Sequence, residues 1–137
     1  MLNGKQYLKL TDRELDILNI LWSAQKPLVA SEITKSNDSL TINTVQAVLR
    51  NLLKKELIKV DKIVYSGTVL SRCYTPVISQ DDFELQQVVN QIKSVNKKIT
   101  IPNIVATLLE EENNEETALK ELEEWLKKRK KQINKEE

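Results

Sequence analysis

The chain has 137 residues, with 21 Lys+Arg against 20 Asp+Glu for a formal charge of +1, one cysteine and no histidine. Those counts exclude an internal disulfide, a Cys/His metal cluster, and any Ser-His-Asp or Cys-His catalytic arrangement. Two isolated glycines, Gly4 and Gly67, cannot form a phosphate loop, and the carboxylates fall in helical charge runs such as 110–112 and 121–124, so no enzymatic activity, cofactor or metal is expected.

After a short polar lead at 1–9, Thr11 is placed to cap a helix running to about Ala24, and Glu14 three residues on completes a capping-box pattern. Leu15, Leu18 and Trp22 form its apolar stripe, widened by Ile17 and Leu21. Past Pro27, residues 28–35 read as a shorter helix with Leu28 and Ile33 turned inward. The run Ser36-Asn37-Asp38-Ser39 reads as a turn, because these side chains hydrogen-bond the backbone locally and compete with helix.

Thr41 then caps the stretch on which the chain is organised, TINTVQAVLRNLLKKE at 41–56. Val45, Val48, Leu49, Leu52 and Leu53 recur at i, i+3, i+4, i+7 and i+8, so they share one buried helix face. The opposite face carries Asn43, Thr44, Gln46, Ala47, Arg50, Asn51 and Lys54. Amide and guanidinium groups can reach base edges there, and lysines and hydroxyls can reach phosphates. Taken alone, the same polar face also fits a solvated surface.

Helix, short helix, turn and a longer helix with a polar outer face is the order of a helix-turn-helix unit. Residues 57–60, 63–65 and 69–74 are β-branched and aromatic runs, with Ser66-Gly67-Thr68 as the turn between them. Three helices followed by a hairpin is a winged helix, in which Lys59, Lys62 and Arg72 lie on or near the wing and within reach of the DNA backbone. Cys73 sits in the alternating stretch as a buried structural thiol.

After Pro76 the pattern is helical. Ser79 caps a helix with Asp82 at its third position and an apolar face of Leu85, Val88, Val89, Ile92 and Val95. A second helix begins near Thr100, with Pro102 in its first turn and Ile101, Ile104, Val105, Leu108 and Leu109 on one face. A third begins near Asn114 and carries Leu119, Leu122, Trp125, Leu126 and Ile133. Up to Pro76 there are 11 Lys+Arg against 7 Asp+Glu, a balance of +4, and beyond it 10 against 13, a balance of −3. The near-neutral total therefore hides a basic front and an acidic back. Three such helices bury too little alone, so a second copy is expected to pack on Leu108, Leu119, Leu122, Trp125 and Leu126.

The segments LTDRELDILNILW, ASEI, TINTVQAVLRNLLKKELI and the closing Tyr74-Thr75-Pro76, in that order and spacing, resemble the N-terminal domain of the penicillinase-repressor family over residues 10–76. The later helices resemble it in layout. The resemblance implies a winged-helix dimer that binds a palindromic operator and represses transcription. The family's groove-facing pattern is Ser-Pro-Lys-Thr-x-x-Thr followed by an Arg. Thr41 matches the Ser, Thr44 and Arg50 match, and Ile42, Asn43 and Ala47 replace the Pro, the Lys and the second Thr. Leu40 stands where an aromatic residue is usual, and the hairpin from Asp61 to Ser71 is a few residues longer. The fold is expected to carry over, and the operator sequence is not. The copper-responsive branch uses clustered C-terminal cysteines, which this chain lacks. The β-lactam branch implies an inactivating protease acting at an Asn-Phe bond in the first helix after the winged domain; here Phe83 follows Asp82 and no Asn-Phe pair occurs, which leaves the inducing signal open.

The fold expected is mainly α with a small β-hairpin wing: a winged helix-turn-helix domain at 1–76, plus a C-terminal helical dimerisation region at 77–137. The expected function is a homodimeric repressor. The partners are double-stranded DNA, read through 41–56 with wing contacts to the backbone, and a second copy of the chain. The alternative is a winged-helix protein-interaction module that uses the same helix and binds no DNA. No run of about 18 apolar residues and no basic-apolar-small leader occurs, so no membrane partner is expected and the cytoplasm is the expected compartment.

Overall fold

The structure is a computed structural model that describes residues 10–95 and 99–136; the polar lead at 1–9 lies outside them. Six helices and one hairpin follow in the order α1 Asp12–Ala24, α2 Ala30–Lys35, α3 Ile42–Lys54, β1 Ile58–Ser66, β2 Val69–Pro76, α4 Gln80–Ser94, α5 Ile101–Glu110 and α6 Glu115–Glu136. They form two compact units, the first ending at Ser94 and the second beginning at Val95. The architecture is mainly helical with one antiparallel hairpin, a winged helix followed by further helices.

In the first unit, the Thr11 hydroxyl caps α1 as expected, accepting the Glu14 N–H at 3.1 Å, while the Glu14 carboxylate, expected to complete a capping box, turns instead to the Thr11 hydroxyl and to Lys55. The inward face of α1 is Glu14, Ile17, Leu18 and Leu21. Leu15, expected in the stripe, is instead exposed, because the core meets the helix about one residue further round. Leu28 is buried as expected but is extended rather than helical. It exchanges hydrogen bonds with Tyr74, at 3.0 Å and 2.8 Å, and so adds a one-residue third strand to the wing. Helix α2 then begins at Ala30, and the Glu32 carboxylate accepts the Val29 N–H at 3.1 Å.

Helix α3 buries Val45, Val48, Leu49 and Leu52 against Ile17, Leu18, Leu21, Ile33 and Leu40. Its C-terminus closes in a Schellman arrangement: the Leu57 N–H reaches the Leu52 carbonyl at 3.1 Å and the Glu56 N–H reaches that of Leu53 at 3.0 Å. Glu56 takes the left-handed conformation, φ 60°, that this motif needs and that glycine usually supplies.

The wing is a single hairpin. The two runs read separately at 57–60 and 63–65 are one strand, continuous through a bulge at Asp61 between the Val60–Tyr74 and Lys62–Cys73 pairs. Gly67, at φ 68°, supplies the left-handed turn residue between the strands. Cys73 is buried.

Helix α4 is capped by the Ser79 hydroxyl, which accepts the Asp82 N–H at 3.1 Å. Its buried residue is Phe83, while Leu85 and Val88 of the expected apolar face are exposed. The first turn thus belongs to the core of the first unit, with Phe83 packed among its residues.

In the second unit, Thr100 caps α5 through the Asn103 N–H at 3.3 Å, and Asn114 caps α6 through the Thr117 N–H at 3.3 Å. The two helices contact one another, yet neither contains a buried residue.

Candidate nucleic-acid interface

Helix α3 can present a polar outer face because Val45, Val48, Leu49 and Leu52 on the opposite side are buried in the core. Asn43, Gln46, Ala47, Arg50, Asn51 and Lys54 are all exposed, and Thr44 is half-buried. Asn43, Ala47, Arg50 and Lys54 are spaced i, i+4, i+7 and i+11, so they form one stripe along the outer side, with Gln46 beside it. Thr41 is occupied structurally. Its hydroxyl accepts the Thr44 N–H at 3.2 Å and donates to the Thr44 hydroxyl at 2.9 Å.

Electrostatically the face is open to anions. Among the described residues, Arg50, Lys54, Lys59, Lys62 and Arg72 have no carboxylate within salt-bridge distance; the two ion pairs found are Arg13–Asp16 and Lys55–Glu14. Unpaired guanidinium and ammonium groups beside amides are the donor set that phosphates and base edges accept.

Strand register refines the wing. Lys62 is paired with Cys73 and Arg72 with Ile63, so consecutive residues place Lys62 and Arg72 on opposite faces of the ribbon. Lys59, opposite Thr75, shares the Lys62 face because the Asp61 bulge inserts one extra residue between them. The Arg72 face also carries Val60, Ile63, Tyr65 and Leu70, all exposed. The Lys62–Arg72 division follows from the register that starts at the Ser66–Val69 pair, and the placement of Lys59 from the bulge, which shifts the alternation by one and has no glycine or proline to mark it.

The residues expected to pair chains lie in the second unit and are poorly covered there. Leu108 is 65% exposed and Trp125 58%; Leu119 and Leu126 are also exposed, and Leu122 is half-buried. Leu119, Leu122 and Leu126 recur at the three-four spacing of a helix seam. No described helix is long and apolar enough to cross a membrane.

A family model described as penicillinase repressor matches residues 10–128. None of the curated proteins compared matches the chain. Solved structures that resemble it include two mutants of MepR from S. aureus. One comes from a multidrug-resistant clinical isolate, with 20% identity, a TM-score of 0.46, and coverage of 93% of this chain and 81% of that one. The other is bound to an oligodeoxyribonucleotide, with 21% identity, a TM-score of 0.46, and coverage of 95% and 84%.

Proposed function

The chain belongs to the penicillinase repressor family, winged-helix regulators of transcription rather than enzymes, and from that premise we propose that it is a cytoplasmic homodimer that represses transcription by occupying a palindromic operator. Residues 1–76 supply the DNA-binding function and 77–137 the pairing function. Asn43, Gln46, Ala47 and Arg50 face the bases in the major groove, while Thr41, Thr44, Asn51 and Lys54 serve the helix and the phosphates around it. Lys62 and Arg72 contact the backbone from the wing. The observation that carries this reading is the α3 stripe itself, whose exposed amides and cations have no acidic partner among the described residues.

Pairing follows from the same physics. Exposed leucines and a tryptophan on α5 and α6 are costly in water, and a second copy removes them from it. A twofold dimer sets two reading helices about 34 Å apart, one turn of B-DNA, which makes the operator an inverted repeat. Asn43 stands where relatives carry Lys, so an adenine edge is its natural partner.

Selection of duplexes from random-sequence DNA by the full chain tests the proposal. Enrichment of an inverted repeat is the expected result. Failure to enrich any sequence, with the protein instead retaining a protein partner through α3, would replace the reading with a protein-interaction module.

A further inference from the structure

The two ends of the reading helix are tied to consecutive residues of α1. Glu14 is 2% exposed, the one charged residue buried among the described residues. Its Oε2 meets the Nζ of Lys55 at 2.6 Å, and its Oε1 accepts the Thr11 hydroxyl at 3.3 Å. Lys55 is the C-cap residue of α3. At the other end, Nη1 of Arg13 donates to the Ser39 hydroxyl at 3.0 Å, two residues ahead of the Thr41 cap. Ser39 is held in turn, its hydroxyl and N–H both donating to Oδ1 of Asn37 at 2.7 Å and 3.0 Å.

Resting on the DNA reading above, we infer that Glu14 and Arg13 form a two-ended brace that fixes the axial position and roll of α3, with Glu14 as the principal positioning residue. Close packing of an apolar helix face on leucines and valines holds α3 against the core through contacts that are individually weak and non-directional. Base-edge hydrogen bonds are directional and lose strength over tenths of an ångström and tens of degrees. A charge-assisted, desolvated contact at the end of the helix supplies the directional restraint that the apolar face lacks. The Arg13–Ser39 bond is exposed and therefore the weaker tie.

A positioning role separates from a purely structural one in what is lost. Phosphate contacts tolerate small displacements and base contacts do not, so loosening the brace lowers discrimination while leaving non-specific binding in place. The experiment uses the full chain, its selected duplex and a random-sequence duplex at one salt concentration, with circular dichroism fixing a temperature at which every variant is folded. Glu14→Gln, which keeps the shape and removes the charge, is expected to reduce the ratio of the two affinities about tenfold, the value of one good base contact. Lys55→Arg, which keeps a cation opposite Glu14, is expected to retain the ratio. A folded Glu14→Gln protein with an undiminished ratio would overturn the brace and leave the DNA reading intact. A wild-type protein that selects no duplex would overturn both.

Discussion

Trp22 and Phe83 meet with ring centroids 5.3 Å apart and planes tilted by 47°, and the Trp22 indole N–H donates to the Ile78 carbonyl at 2.9 Å. One residue of α1 thus anchors both the start of α4 and the chain leading into it. The Asp82-Phe83 bond lies beside a side chain only 6% exposed. Phe83→Ala opens a cavity beside Trp22 and is expected to destabilise the first unit by about 3 kcal/mol, read from the urea midpoint. A change below about 0.5 kcal/mol, the range of ordinary surface substitutions, would show that α4 does not complete this core.

Glu56 holds a left-handed conformation at the end of α3 without glycine's freedom from Cβ contacts. Replacing it by glycine relieves that strain and is expected to raise stability by about 1 kcal/mol, because the Schellman hydrogen bonds are made by the backbone and survive the change. Destabilisation on thermal unfolding would mean that the Glu56 side chain contributes more than its backbone loses.

The legibility of the sequence follows from these two positions. Periodicity with caps was decisive, so α1, α3, α5 and α6 begin where Thr11, Thr41, Thr100 and Asn114 place them. Tertiary and non-glycine features were not legible. Phe83 falls outside the apolar face read on α4, and only the three-dimensional position of Trp22 selects it over Leu85 and Val88. The polar face of α3 was legible as a stripe. The division of the wing into a Lys62 face and an Arg72 face was not, because it depends on the register that the turn sets, Ser66 opposite Val69, and the side on which Lys59 falls depends on one bulged residue, Asp61.

Leu126→Asp and Leu122→Asp place a carboxylate on the seam proposed for the dimer, where desolvation without a cation is strongly unfavourable. Both variants are expected to sediment as monomers at concentrations at which the wild type sediments as dimers. Variants that remain dimeric would move the seam away from α6.

Arg50→Ala and Gln46→Ala remove donors from the exposed stripe of α3 without touching the core. Each is expected to weaken binding to the selected duplex by about 1 to 3 kcal/mol and to relax the preference at one base position. Asn43→Lys, which puts a longer cationic donor on the same stripe, is expected to shift the preferred sequence rather than abolish binding. Unchanged affinities and preferences for all three would remove α3 from the groove.

The central claim is that α3 and the wing bind the DNA backbone as well as its bases, and the salt dependence of binding tests it most directly. The affinity of the full chain for its selected duplex is expected to fall linearly on a log-log plot against salt, with a slope of about −0.9 per phosphate neutralised. Each of Lys54→Ala, Lys62→Ala and Arg72→Ala should make that slope shallower by about one phosphate contact. Binding that does not change with salt, in the wild type and in all three variants, would contradict the account.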